Sequence, residues 1–371
     1  MPRDSQISKA RDTLMVGMSG GVDSSVAALL LLEQGHRVEG LFMKNWEEDD
    51  DADYCAAAED LADATAVAER LGIPLHTVNF SSEYWDRVFA YFLAEYRAAR
   101  TPNPDVLCNK EIKFRAFLDH ALGLGAEQIA TGHYARVRCD HNGCRLGLAA
   151  DKGKDQTYFL HLLGQDQLRR SIFPLGDLDK SQVRTLARRA GFRTAEKKDS
   201  TGICFIGERR LQDFLARYVP RDPGPIETPE GTLLGEHLGL AYYTIGQRQG
   251  LRIGGIAGKP EAPWYVARKD TARNALILVQ GHGHPMLMSA GLDGAAIHWI
   301  AGEAPEETPV HCRVRLRHRQ TLQVCTITEI GDNHCRVRFA QPQRAVTPGQ
   351  AAVFYQDDEC LGGTAIAQAW D

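Results

Sequence analysis

Leu14-Met15-Val16-Gly17-Met18-Ser19-Gly20-Gly21-Val22-Asp23-Ser24-Ser25-Val26-Ala27-Ala28-Leu29-Leu30-Leu31-Leu32 is the run that decides the fold. A short apolar stretch of strand length passes through a glycine turn into a longer apolar stretch of helix length. Backbone N–H groups and the positive end of the helix dipole converge at such a turn, which makes it an anion site. Gly20 and Gly21 let a ligand approach the backbone, and Ser19, Ser24 and Ser25 put hydroxyls at the helix mouth. Asp23 is out of place in a bare phosphate cradle and fits one that also receives a divalent cation. No lysine follows the glycines, so this is not the G-x-x-x-x-G-K-[ST] loop. An ordinary strand-to-helix turn accounts for Gly20-Gly21 but not for the serines and aspartate set beside it.

Outward from this run, strand and helix patterns alternate through roughly the first 200 residues. Arg37 to Met43 reads as a second strand after a helix stop at Gly35, and Ala56 to Leu71 as a helix ended by Gly72. Pro74 to Val78 is a third strand, Ser82 to Arg97 a helix, and Ala126 to Gly132 a fourth strand. That order predicts an α/β fold with an open parallel sheet and helices on both faces. Ligands of such sheets bind beyond the strand C-termini, where Gly17 to Ser25, Met43 to Trp46 and Gly132-His133 fall. Val137 to Leu148 reads as a hairpin turning at Asn142-Gly143. Its Cys139 and Cys144 bracket His141 like metal ligands, but the turn explains them better, and no protein metal site is expected.

From Asp222-Pro223-Gly224-Pro225 the texture changes to glycines, prolines and short apolar runs. Beyond about Pro285, short alternating strands with turns at Gly331-Asp332-Asn333 and Pro348-Gly349 predict a small β-barrel or sandwich. The expected domains are a catalytic domain over 1–207, a small mixed central domain over 208–283 and a C-terminal β-barrel over 284–371.

The 371 residues are 43% hydrophobic and 25% charged, with a net charge of −5. No apolar run approaches the ~18 residues of a membrane span. Met1-Pro2-Arg3-Asp4-Ser5-Gln6 lacks the apolar core of a signal peptide, so a cytoplasmic location and no membrane partner are expected. Nine scattered cysteines, an odd number, point to reduced thiols. The mild negative charge leaves room for a nucleic-acid partner bound through local basic patches.

Two cysteines stand in polar loops. Thr101-Pro102-Asn103-Pro104-Asp105-Val106-Leu107-Cys108-Asn109-Lys110 reads as irregular because of its prolines. Lys110 and Lys113 favour a Cys108 thiolate, and Asp105 is placed to accept its proton. Lys197-Lys198-Asp199-Ser200-Thr201-Gly202-Ile203-Cys204-Phe205 sets the second cysteine beside a glycine and downstream of two lysines.

The run Ser19 to Ser25 resembles the S-G-G-x-D-S pyrophosphate loop of the ATP pyrophosphatase superfamily, whose sheet is of the adenine nucleotide alpha hydrolase type. With Asn103-Pro104-Asp105-x-x-Cys108-Asn109, Thr131-Gly132-His133-Tyr134, Lys154-Asp155-Gln156, Ser200 to Phe205 and Tyr243-Thr244-Ile245-Gly246-Gln247-Arg248, the chain resembles the tRNA-specific 2-thiouridylase family nearly end to end. The resemblance implies replacement of O2 of the wobble uridine in tRNAs for Lys, Glu and Gln by sulfur, with release of AMP and pyrophosphate. It implies ATP, carried with Mg2+, against Gly17, Met18, Ser19, Gly20, Gly21, Val22, Asp23 and Ser24, with Met43 and Gly132 near the nucleotide. It implies a persulfide on Cys204, a Cys108–Cys204 disulfide after transfer, and Asp105 as acid/base. Asn103, Pro104 and Asp105 would face the target base, and His133, Lys154, Asp155 and Gln156 would contact the tRNA. Arg317, His318 and Gln350 map to further tRNA contacts, although the family usually has tyrosine at the His318 position. A cysteine desulfurase, or a relay from one, is the implied sulfur donor.

Two surfaces suit phosphates. Lys180, Arg184 and Arg188 share one face of a helix capped by Asp179 and stopped at Gly191. Arg313, Arg315, Arg317 and Arg319 alternate with Val314, Leu316 and His318, which predicts four arginines on one face of a strand. Two other functions compete: a small-molecule adenylating ligase or amidotransferase, and a tRNA-binding protein that holds ATP as a structural ligand. The first leaves the paired cysteine loops unexplained, and the second leaves Asp23, Asp105, Cys108 and Cys204 without a task.

Overall fold

The computed structural model describes residues 13–47, 56–199, 211–254 and 262–371. Cys204 and the Ser200 to Phe205 motif lie outside them. The chain divides into two compact units that interleave along the sequence: Met1–Glu83, Lys110–Thr157 and Gln165–Thr201 in the first, Tyr84–Asn109, Tyr158–Gly164 and Gly202–Asp371 in the second.

In the first unit, β1 (Thr13–Gly17), β2 (Arg37–Lys44), β3 (Leu75–Asn79), β4 (Gln128–Ala130) and β7 (Ser171–Ile172) form a parallel sheet in the order β3-β2-β1-β4-β7. The chain builds outward on one side of β1 and then places β4 on its other side, so the loops after β1 and β4 face each other at the switch point. Helix α1 (Val22–Glu33) is apolar around most of its circumference because it is buried, with Val26, Ala27 and Ala28 fully enclosed. It packs in one core with Leu14 and Val16 of β1, with Ala64 and Val67 of α2 (Ala56–Leu71), and with Val183 and Ala187 of the Lys180–Arg189 helix. The expected stops hold: Gly35, Gly72 and Gly191 all take the left-handed conformation that glycine adopts without strain. Asp179 and Gln182 form a reciprocal capping box on the Lys180–Arg189 helix.

β5 (Arg136–Asp140) and β6 (Gly143–Gly147) make the expected hairpin. Its register sets Cys139 directly opposite Cys144, and the two are joined in a disulfide. The expectation of uniformly reduced thiols fails for this pair. The turn lies at His141-Asn142, one residue before the expected Asn142-Gly143, which would have paired His141 with Cys144; this shift makes positions 139 and 144 cross-strand neighbours.

The second unit holds a four-stranded sheet in the order β10-β11-β8-β9, from β8 (Gly224–Glu227), β9 (Leu233–His237), β10 (Trp264–Asp270) and β11 (Ala275–Gln280). Six antiparallel strands follow: β12 (Met288–Trp299), β13 (Val310–Arg315), β14 (Gln323–Ile330), β15 (His334–Arg344), β16 (Ala351–Gln356) and β17 (Glu359–Trp370). Their order is β12-β15-β14-β13-β16-β17, and pairing of β12 with β17 closes the barrel and removes both edges. Inward residues such as Leu292, Val314, Ile327, Val337, Phe354 and Ile366 fill it. Gly291 is required where β12 crosses the barrel end, since a Cβ there would lie 2.1 Å from the Trp370 ring.

The four-arginine face does not form. β13 ends at Arg315, so Arg317 and Arg319 lie in the turn beyond it, and Arg319 has a positive φ. Arg313 donates to the Asp357 carbonyl, Arg315 is buried with its guanidinium 5.2 Å from the Tyr355 ring, and Arg317 donates to the carbonyls of Arg344 and Ala345.

Candidate active site

The loop between β1 and α1 is built as the sequence implies. Gly20 has φ +71°, and a Cβ on it would sit 2.3 Å from the Asp60 carbonyl oxygen of α2. Glycine is thus demanded twice, by conformation and by contact. Gly21 is the N-cap of α1, and no side chain caps that helix end. Ser24 Oγ instead accepts from the Ser19 amide at 3.2 Å and donates to the Gly21 carbonyl at 3.1 Å, which folds the loop over the helix mouth. An uncapped N-terminus inside a folded glycine loop suits an anion. On the far side, Gly132 follows β4 so closely that a Cβ would lie 2.7 Å from Ser24 N, and a Cβ on Gly17 would approach Met43 Cε at 3.5 Å. Met43, Gly132 and the loop are therefore brought together, and Val22 and Met18 pack beneath as core residues.

Asp23 is engaged in a chain of charges that the sequence did not reveal. Both its oxygens accept from Lys180 Nζ, at 2.8 and 2.7 Å, and Oδ1 also accepts from the Tyr134 hydroxyl at 2.8 Å. Lys180 Nζ lies 2.8 Å from Asp199, which further accepts from Lys154 at 2.5 Å and Arg184 at 3.1 Å. Arg184 also donates to the carbonyls of Ala195 and Lys197, and Arg188 pairs with Glu196. The expected basic stripe therefore faces the protein's own acceptors. Helical spacing aligned the three side chains, but acids and carbonyls folded back from 195–199 take up their charge. A second set of pairs, Lys197 with Asp60 and Asp63 and Arg193 with Asp63, fastens the same segment to α2 beneath the loop.

Partial burial works against the Asp199 carboxylate, but the Lys154 and Lys180 ammoniums overcome it and bring its pKa down to about 2. A carboxylate depressed on folding adds stability that is complete above its unfolded value, near 3.9, and vanishes as pH falls through the folded value. Asp199→Asn is therefore expected to lower the urea midpoint at neutral pH, with the gap to wild type narrowing below about pH 4. Midpoints measured across that range check this, and a gap independent of pH contradicts it.

His133 is buried between Phe114 and Phe173, with Nδ1 2.8 Å from Thr131 Oγ1. Burial, reinforced by Lys113, pushes its pKa well below the ordinary histidine value, so it is neutral at pH 7. In the Lys154-Asp155-Gln156 segment, Lys154 meets Asp199 as above. Asp155 is buried, accepting from the Ala149 amide and the Thr157 hydroxyl, and Gln156 Oε1 accepts from the Tyr134 amide. Asp155 and Gln156 thus shape the segment.

In the second unit the prolines of the first cysteine motif do not prevent helix. Pro104 occupies the first helical position, where its missing N–H costs nothing. Asn103 caps Pro104–Leu107 by accepting from the Asp105 amide at 3.1 Å, and the chain continues through a wider helical turn from Cys108 to Ala116. Asp105 and Cys108, three apart, share one helix face. Cys108 is 2% exposed. Residues far along the chain hold this motif: Gln350 Nε2 donates to the Thr101 carbonyl at 2.8 Å, the Thr101 amide donates to Pro348 O, and Thr101 Oγ1 is 3.3 Å from Thr244 Oγ1. Tyr158 hydrogen-bonds the Asn103 side chain and donates to the Ala351 carbonyl. His318 packs against Phe159 with ring centroids 4.5 Å apart.

A parallel α/β sheet with an uncapped glycine loop at its switch point, joined in one chain to a closed β-barrel, defines the class of protein. The family model described as a tRNA methyl transferase HUP domain matches residues 12–208, a PRC-barrel model 212–280, and an aminomethyltransferase beta-barrel model 289–366. A "tRNA-specific 2-thiouridylase MnmA" of Methylococcus capsulatus is 62% identical over 355 residues, 95% of each chain. Proteins of the same name from Vibrio cholerae and Pseudomonas aeruginosa are 59% and 57% identical, each covering at least 96% of both chains. The chain belongs to the tRNA-specific 2-thiouridylase family. Among the described residues no helix is long and apolar enough to cross a membrane.

Proposed function

We propose that the protein uses ATP to replace O2 of the wobble uridine of tRNAs for Lys, Glu and Gln by sulfur, acting in the cytoplasm. Full-length identity of about 60% to named 2-thiouridylases carries the reading. The helix face shared by Asp105 and Cys108, and the folded loop at the mouth of α1, support it. The segments 1–207, 208–283 and 284–371 serve as its catalytic, central and barrel parts.

A carbonyl oxygen is a poor leaving group. In the first step it attacks the α-phosphorus of ATP, and the bond from that phosphorus to the bridging oxygen breaks with its electron pair on pyrophosphate. The loop from Gly17 to Ser24 holds the departing phosphates, and a magnesium ion arriving with the nucleotide would share Asp23. The terminal sulfur of a Cys204 persulfide then attacks C2, and AMP leaves with the former carbonyl oxygen. Asp105 takes the Cys108 proton, and the Cys108 thiolate attacks Cys204 Sγ. The sulfur–sulfur bond breaks with its electron pair on the base, leaving 2-thiouridine and a Cys108–Cys204 disulfide that an external dithiol reduces. A sulfur-carrying protein reloads Cys204. The stacked wobble base must be splayed out to react. Asn103, Pro104 and Asp105 are the proposed contacts to the base, and His133, Lys154, Asp155, Gln156, Arg317, His318 and Gln350 are proposed contacts to the tRNA.

Pyrophosphate release should require tRNA, and nucleoside mass analysis should show 2-thiouridine once a sulfur donor is supplied. Release driven by a small carboxylate or amide substrate without tRNA supports the ligase reading instead, and tRNA binding without release supports the non-catalytic one.

A further inference from the structure

The turn that carries Asp105 and Cys108 is approached through a bend that its own sequence does not favour. The helix Ala90–Arg97 ends at Ala98, and Ala99 beyond it takes φ +57°. The Ala99 amide donates to the Tyr96 carbonyl and the Arg100 amide to the Glu95 carbonyl, each at 2.9 Å. Glycine ordinarily supplies the left-handed residue of such a helix ending, and an alanine there is strained against its own Cβ. From 170 residues away, Lys269 of β10 donates from Nζ to the Ala99 carbonyl at 2.7 Å. We propose that Lys269 is a positioning residue for sulfur transfer: it pins the bend at Ala99 and so sets how Asn103, Asp105 and Cys108 are presented. The inference rests on the reading of Asp105 and Cys108 as the pair that frees the sulfur.

Lys269, Ala99 and Cys108 all belong to the second unit. Among the described residues no carboxylate pairs with Lys269, and burial alone pulls its pKa down to about 8. It is still an ammonium at pH 7, and the negative end of the Ala90–Arg97 helix favours it there. A desolvated cation whose acceptor is one backbone carbonyl is costly to keep, which marks the contact as more than a surface accident. Thr101, two residues on, is held by Pro348 and Gln350. The backbone is therefore gripped on both sides of Arg100. With Lys269 removed, Ala99 is free to relax toward negative φ, and the displacement passes into the turn that begins at Asn103.

Thiolation kinetics of the full chain, with tRNA, ATP and a sulfur donor, test this on wild type, Lys269→Met, Ala99→Gly and the double variant. Lys269→Met is expected to lower kcat by about 10- to 100-fold, the cost of misplacing reacting groups by about 1 Å, with KM for tRNA and ATP within about 3-fold of wild type. Glycine takes a positive φ without strain and needs no outside hold. Ala99→Gly alone should therefore stay within about 3-fold of wild type, and in the Lys269→Met background it should restore kcat by about 5-fold or more. An unchanged kcat in Lys269→Met, a loss seen in KM instead, or a loss that Ala99→Gly does not relieve overturns the inference and leaves the proposed reaction standing. No thiolation by wild type overturns both. If Lys269→Met fails to fold, Lys269→Gln, whose amide stops short of the carbonyl, is measured with and without Ala99→Gly and judged by the same outcomes.

Discussion

Cys108→Ser is expected to lower the rate of thiolation by roughly 10³-fold or more while tRNA-dependent pyrophosphate release persists. The serine oxygen is nearly the size of the sulfur but ionises far less readily, so it cannot attack Cys204 and free the sulfur. The adenylating step uses no thiol. Because Cys108 is enclosed at the end of a capped helical turn, the change should cost only about 1 kcal/mol of stability. Single-turnover assays with persulfide-loaded enzyme separate the two activities. Full thiolation by the variant would remove Cys108 from the mechanism, and joint loss of pyrophosphate release would make its role structural. The persulfide on Cys204 should survive in the Cys108→Ser protein and be visible by mass spectrometry.

Gly20→Ala should damage the other half of the site. A left-handed φ of +71° strains any L-residue, and the new Cβ would stand 2.3 Å from the Asp60 carbonyl oxygen. Together these cost about 2–4 kcal/mol, enough to lower the melting temperature by roughly 5–15 °C. Since α2 or the loop must shift, ATP binding should fall as well. Gly21→Ala is the control: its φ is −98°, and the nearest atom to the new Cβ is Ser19 Oγ at 3.4 Å. It should melt within about 2 °C of wild type. Similar melting for the two variants would show that the contact with α2 is not rigid.

How much of the molecule is legible in its sequence follows from the range of the interactions. Gly20, Gly35, Gly72 and Gly191 act through local backbone conformation, so the loop and three helix stops are readable, as are the Asp179 cap and the hairpin. The parallel sheet follows from the order of patterns. Lys180 is misleading because its partners, Asp23 and Asp199, come from other parts of the chain; alone it looks like one member of a surface stripe. The arginines from 313 to 319 mislead because period 2 marks a strand face without marking where the strand ends. The prolines at 102 and 104 suggest broken helix, although Pro104 sits where helices accept proline. For Cys139 and Cys144, the Asn142-Gly143 signal marks the hairpin, but the turn falls one residue earlier, and that one-residue shift in register sets the pair face to face.

The grip of Gln350, Pro348 and Thr244 on Thr101 bears on how the protein can be cut or rebuilt. A chain truncated after residue 207 would keep the whole glycine loop, with Asp105 and Cys108 still in its covalent sequence. Yet the turn that presents them would have lost its hydrogen-bonded moorings. The barrel is therefore no detachable accessory: as a separable part it is poorly chosen, and lesions within it should surface as defects of chemistry as well as of tRNA capture.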